Sequence, residues 1–314
     1  MKRLEKVQSL LKAKEFYVVD GRAHFTDTGN TIWVSVDTDI GDGCYMVRNG
    51  ELISLLCTDR DEVMLGRNLG VDLDGVFGVV DVKGIPYGLV NFVSKDDIKR
   101  KALQGIYIDG DHKCIIGTNG QILYSHDLEG IESSMLLRSV FWKLIYYFNL
   151  TQICSDGKNS ISRGDGVTVI SKLMDLEMGY PSVFECIPQG IGVTHIEHIE
   201  ITDDIKGRVI TAIKVLKSRC NRFTDRVFID GAYIKCCGYK VNIGVELFPG
   251  KVFCLSAFSL EVFLKIAHGW INFPDGDRCN LPVVIRDQKS VSLIMPFRIN
   301  STDFNKEFIE LQVS

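Results

Sequence analysis

A chain of 314 residues is too long for one ordinary core, and 46% apolar content belongs to folded domains rather than to disorder. A net charge of −4 excludes a protein whose whole surface grips nucleic acid. No run approaches the roughly 18 apolar residues of a membrane span. The start carries no signal-peptide pattern, and ten irregularly spaced cysteines read as reduced thiols, so a cytoplasmic protein is expected.

Leu4, Val7 and Leu11 recur at helical spacing, which predicts a helix over 2–14 with Lys2, Lys6, Ser9 and Lys12 on the opposite face. Strands are predicted over 15–19, 23–27 and 31–36, with turn signals at Asp20-Gly21 and Thr28-Gly29-Asn30. A short second helix over 49–56 and strands over 76–82 and 87–93 complete the first segment.

The second segment opens on a short basic helix over 94–103, where Ser94 and Asp97 suggest a cap. Strands follow over 105–109, 114–117 and 121–126, then a longer helix over 134–148 and strands over 151–155, 160–163 and 167–173. The third repeats the order: a capped helix over 202–220, strands over 226–229, 233–237 and 241–247, a helix over 256–267, and strands over 283–286 and 291–299. Helix, strands, helix, strands thus occurs three times, an α+β plan of three similar domains, 1–93, 94–195 and 196–299, with a C-terminal extension over 300–314. Detailed echoes are modest, such as Asp-Asp-Ile-Lys at 96–99 and 203–206, and three unrelated α+β domains are the alternative.

Catalytic and ligand patterns fail one by one. His195 and His198 lie in a predicted connector and read as solvent-exposed. The run 37–43 starts like a calcium loop, but Gly41 replaces an oxygen ligand and Arg48 stands where the closing glutamate belongs. The glycines of 70–78 fit neither a phosphate loop nor a dinucleotide fingerprint, and no nucleophile–base spacing appears. Adjacent Cys236 and Cys237 lack a CxxC partner pair and read as buried strand cysteines. No metal, cofactor or catalytic activity is expected.

The charge is concentrated. Residues 2–14 carry net +4, 203–222 net +4 and 95–101 net +2, which leaves −14 for the rest. On the third-segment helix Lys206, Lys214 and Lys217 lie opposite an apolar stripe, on a face read as free of acids. With a screening length of about 8 Å such faces act locally, and they can hold phosphates without reading bases. Solvated helix faces are the alternative.

Three runs then carry a family likeness: Lys101-Ala-Leu-Gln-Gly-Ile-Tyr-Ile108, Ile116-Gly-Thr-Asn-Gly-Gln-Ile-Leu123, and Val169-Ile-Ser-Lys-Leu-Met-Asp175 with Tyr180-Pro and Ile187-Pro188. In order and spacing they resemble the middle domain of bacterial-type β sliding clamps. Leu255-Ser-Ala-Phe-Ser-Leu-Glu-Val-Phe-Leu264 and Leu293-Ile-Met-Pro-Phe-Arg-Ile299 resemble that family's last helix and terminal strand. The likeness covers about 95–299 and is only topological over 1–93. Gln121 and Ile122 stand where the family has His-Arg, and Asn119 replaces Asp. Such divergence suits a viral relative.

The resemblance implies a homodimeric ring of clamp domains around double-stranded DNA, without catalysis, that tethers a DNA polymerase and is loaded by a clamp loader. The DNA-facing residues it implies are Lys2, Lys6, Lys12, Lys99, Arg100, Arg138, Lys143, Lys206, Lys214 and Lys217. The pocket for the polymerase's short peptide would comprise Leu103, Thr118, Gly120, Leu123, Pro188, Val193, Leu293, Met295, Pro296, Phe297 and Arg298. The alternatives are a clamp-like tether for transcription or repair factors, and a DNA-modifying enzyme on an unrelated scaffold. The extension over 300–314 is expected to pack as an amphipathic surface segment or to fold back onto the pocket.

Overall fold

The computed structural model describes residues 1–55, 77–95, 99–183, 195–220, 223–274, 281–299 and 308–312. In chain order they form α1 (Lys2–Leu11), β1 (Phe16–Val19), β2 (Arg22–Thr26), β3 (Ile32–Asp37), β4 (Gly43–Arg48), β5 (Glu51–Leu55), β6 (Phe77–Asp81), β7 (Gly105–Asp109), β8 (Cys114–Thr118), β9 (Ile122–Asp127), β10 (Met135–Arg138), α2 (Ser139–Tyr147), β11 (Gln152–Ser155), β12 (Asn159–Gly164) and β13 (Val167–Lys172). The chain continues with β14 (His195–Glu200), α3 (Asp203–Arg219), β15 (Arg226–Asp230), β16 (Tyr233–Cys236), β17 (Tyr239–Asn242), β18 (Val252–Ser256), α4 (Ala257–Ile266), β19 (Trp270–Pro274), β20 (Val283–Arg286), β21 (Ser290–Ile294) and β22 (Ile309–Leu311).

Two compact units result. The first combines Met1–Ile115 with Asp127–Tyr180, the second Ile116–His126 with Pro181–Ser314. In the first unit nine antiparallel strands run β5-β4-β1-β2-β3-β13-β12-β11-β6. The β3–β13 junction, with Val34 opposite Val169, joins strands that the sequence divides between its first two segments. Period-2 alternation buries Phe16, Val18, Ala23 and Phe25, and Phe16 stacks on Phe25 at 4.6 Å. Leu4, Val7 and Leu11 form the buried stripe of α1, which ends where Lys12 turns left-handed at φ 53°. α1 packs on α2, and both lie against this sheet.

In the second unit β18-β15-β16-β17-β22 form one sheet, antiparallel except for the parallel β17–β22 pair. The antiparallel order β9-β21-β20-β19-β14 forms another. α3 packs on β16 and β17, α4 on β18 and β21, and the two helices on each other. Phe248, Phe253 and Phe273 form the aromatic core.

Several hairpins turn on two residues with positive φ: Asp20-Gly21, Asn49-Gly50, Asp165-Gly166 and Cys237-Gly238. These are the turns whose twist matches paired strands. The second corrects the helix expected over 49–56: Asn49-Gly50 reverses the chain and Glu51–Leu55 pairs with β4 as a strand. The helix expected from residue 134 starts at Ser139, because Met135–Arg138 pairs with β7. Residues 87–91 are a 3-10 turn after Pro86 instead of a strand, and of the basic helix expected over 94–103 residues 94–95 and 99–100 are not helical and Lys101–Gln104 is a 3-10 turn, while 96–98 lie outside the described residues. The strand expected over 241–247 ends at Asn242, before Gly244 turns at φ 67°. The connector expected near 195 is strand β14, and His198 sits half-buried with Nε2 2.8 Å from the Glu246 carbonyl.

Candidate nucleic-acid and peptide interfaces

On α1 the outward face develops as expected. Lys2, Lys6 and Lys12 are exposed, and none is ion-paired among the described residues. Arg3, absent from the sequence-derived set, lies on the same helix with its guanidinium 4.9 Å from the Phe148 ring. An arginine adjacent to Lys2 was visible in the sequence, but its stacking partner was not.

α3 differs from its expectation. Thr202 caps the helix by accepting from the Ile205 N–H, and Asp203 and Asp204 fill the first turn, complementing the helix dipole. Those acids capture the neighbouring bases. Lys206 is 7% exposed, with Nζ 3.2 Å from Asp203 Oδ1 and 3.1 Å from His268 Nδ1. It is a structural lysine and leaves the predicted DNA-facing set. Arg208 pairs with Asp204 at 2.7 Å, and Lys217 with Glu261 of α4 at 2.6 Å. The face read as free of acids is therefore partly neutralised by α3's own first turn and by its neighbour; Lys214 and Arg219 remain exposed without an ion pair among the described residues.

Arg138 is also held inside its unit. It ends β10, and its Nε donates to the Lys172 carbonyl at 3.2 Å. Burial pushes its pKa down, against the nearby Asp27 carboxylate. This half-buried, backbone-bonded guanidinium does not project from a helix face as predicted. Lys143 is half-buried on α2, while Lys99 and Arg100 are exposed.

Within the second unit the structure brings together Thr118, Gly120, Leu123 and 293–298 of the residues expected to line a peptide pocket. Leu123 pairs with Leu293 across β9 and β21, and both are buried, so they form the floor and not the walls. Thr118 is buried too; its hydroxyl donates to the Ile122 carbonyl at 2.7 Å and accepts from the Gly120 N–H at 3.1 Å, and Gly120 takes φ 87° to close the turn. The Met295 N–H donates to the Gln121 carbonyl at 2.8 Å and the Phe297 N–H to the Cys254 carbonyl at 2.7 Å, so 295–297 bridges β9 and β18. Met295 is 37% exposed, Pro296 and Phe297 are half-buried, and Arg298 is exposed. Leu103 is buried within the first unit. Pro188 and Val193 lie outside the described residues.

Two tertiary contacts at this surface, of Gln121 and of Arg226, were not foreseen from the sequence. Gln121 reaches Ser259 at 3.3 Å and ties the β9 turn to the start of α4. Arg226 lies 4.8 Å over the Phe297 ring. Both meet the site through tertiary pairing, which no local spacing announces.

No protein-family profile and no curated protein sequence matches the chain. Solved structures do. The Helicobacter pylori β clamp bound to a DNA ligase peptide is 16% identical, with a TM-score of 0.62 over 95% of this chain and 98% of that one. The DNA polymerase III β subunit of Thermotoga maritima is 14% identical, with a TM-score of 0.62 over 94% of each chain. The Caulobacter crescentus DNA polymerase sliding clamp is 12% identical, with a TM-score of 0.61 over 93% and 92%. The chain has the β-clamp fold, built mainly of antiparallel sheet.

Proposed function

We propose, from a fold shared with bacterial β clamps over about 95% of the chain, that this protein is a DNA sliding clamp. Two copies of three clamp domains, 1–93, 94–195 and 196–299, close into a ring around duplex DNA, and the ring tethers a DNA polymerase without catalysis of its own. The observation that carries this reading is the conjunction of that fold with the exposed lysines of α1, which have no ion pair among the described residues. Lys2, Lys6 and Lys12 meet phosphates, which favours any sequence equally and permits sliding. Lys99, Arg100, Lys143, Lys214 and, more weakly, Lys217 extend the contact. A closed ring adds topological retention to contacts that are individually weak.

Partners dock on the strip made by Met295, Pro296, Phe297 and Arg298. Its floor is buried and its rim offers a flexible methionine and an aromatic ring, suited to leucine or phenylalanine anchors of a short peptide. The Helicobacter pylori clamp was solved with a DNA ligase peptide, which supports a tethering role that extends beyond polymerases to other DNA-processing partners.

The decisive experiment loads the full chain, with a clamp loader and ATP, onto nicked circular DNA and then linearises it. A ring is retained on the circle and lost from the linear form, and its solution mass is that of a dimer. A stable monomer, or equal retention on both forms, overturns the reading.

A further inference from the structure

The hairpin between β16 and β17 breaks the pattern of the others. In the turns after β1, β4 and β12 the first left-handed position holds Asp20, Asn49 and Asp165, residue types that tolerate that backbone. Here it holds Cys237, at φ 51°. A cysteine gains nothing from this conformation, so its use calls for a role of the thiol.

The fold supplies one. Cys236 ends β16 and Cys220 caps the C-terminus of α3, and the sulfurs of Cys220, Cys236 and Cys237 all lie within 4.8 Å of one another. The Cys236 and Cys237 sulfurs are 3.3 Å apart. Three sulfurs bound to one ion at about 2.3 Å would stand roughly 3.8 Å from each other, so small side-chain rotations suffice. Cys220 and Cys236 are buried and Cys237 is exposed, which gives a dry base with one side open to solvent. The spacing reading that dismissed Cys236 and Cys237 lacked Cys220, sixteen residues upstream and brought in by the end of α3.

We propose that Cys220, Cys236 and Cys237 bind a single thiophilic d10 cation, Zn²⁺ by its chemistry, with the fourth position open at the surface. An all-sulfur donor set disfavours magnesium, calcium and manganese. Burial pushes the Cys220 and Cys236 thiols up, so binding must displace their protons. Burial also opposes ionisation of Cys237, but hydrogen bonds from the Thr224 backbone and from the other two thiols outweigh it and lower its pKa. The ion would staple the end of α3 to the β16–β17 hairpin.

The test titrates the reduced full chain with Zn²⁺ against a chelating indicator and counts bound ions by native mass spectrometry; Cd²⁺ then reports thiolate ligation through ultraviolet charge-transfer absorption. One ion per chain is expected, with a higher thermal midpoint. Cys237→Asn separates binding from folding: asparagine suits the turn, so this variant should fold at least as well while losing affinity by more than about 100-fold. Cys154→Ser, in the first unit, should bind like the parent. The proposal is overturned if the parent takes up no Zn²⁺ at micromolar concentration, if Cys237→Asn binds as tightly as the parent, or if the triple variant Cys220→Ser, Cys236→Ser, Cys237→Asn still gives the cadmium band.

Discussion

The leading helices of the two units start from equal charge, net +4 over residues 2–14 and again over 203–222, and hold it differently. α1 has Glu5 as its single acid and presents Lys2, Lys6 and Lys12 to solvent. α3 has two aspartates in its first turn, which cap and charge the helix favourably but sit three and four residues before Lys206 and Arg208, within pairing reach. Glu261 of α4 takes Lys217 as well. Equal formal charge along the sequence thus becomes an exposed cationic face on one helix and a partly internal ion network on the other.

The largest expected effect sits on the helix that was expected to touch DNA. Lys206→Glu would set a carboxylate in a nearly closed site beside Asp203, and should lower the unfolding free energy by about 3 kcal/mol, read from the urea midpoint. An unchanged midpoint would mean that the buried ammonium is dispensable. The triple change Lys2→Glu, Lys6→Glu, Lys12→Glu should do the reverse. Its exposed positions leave stability within about 0.5 kcal/mol of the parent, while the slope of log affinity against log salt for duplex DNA falls by about 3, one for each phosphate that a lysine no longer neutralises. A slope that does not change removes α1 from the DNA path.

Glu261→Gln sharpens the contrast with a smaller effect of opposite sign. Freed of its carboxylate partner at 2.6 Å, Lys217 becomes available to phosphate, and DNA affinity should rise a few-fold with a salt slope steeper by about 1. If binding is unmoved, Lys217 belongs to the α3–α4 packing alone.

Legibility in the sequence followed how local each cause is. The α1 stripe, α3 with its Thr202 cap, and the strands β15, β16 and β20 were readable because spacing and caps are set within one or two turns, whereas β18 (Val252–Ser256) and β19 (Trp270–Pro274) were not predicted. The strand over 51–55 was misread although Asn49-Gly50 is a strong hairpin signal, because Leu52, Ile53 and Leu55 break the strict alternation of a strand. The strand Met135–Arg138 was hidden inside a helix-like apolar run, and only pairing with β7 decides it. In the candidate interface the run 293–297 was visible by likeness, whereas Gln121 on Ser259 spans 138 residues and Lys206 to His268 spans 62, distances at which sequence gives no register.

The C-terminal strand supplies the last and smallest effect. Residues 309–311 add in parallel to β17, with Glu310 3.3 Å from Lys240 and Lys235 over the Phe308 ring. Phe297 joins the same five-stranded sheet at its other end, through Cys254 of β18. Strand 309–311 therefore covers the sheet edge opposite the one that Phe297 joins, and the proposed peptide strip and this strand lie at different edges of the sheet. Deleting 308–314 should leave the affinity for a short leucine- and phenylalanine-containing peptide within about twofold, whereas Met295→Ala with Phe297→Ala should weaken it at least tenfold, as expected when the anchors of a small interface are truncated. Fluorescence anisotropy with one labelled peptide measures both. A tenfold gain on deletion would instead show the tail occupying the strip, and equal weakening by the two changes would show that the strip depends on the far edge of the sheet for its shape.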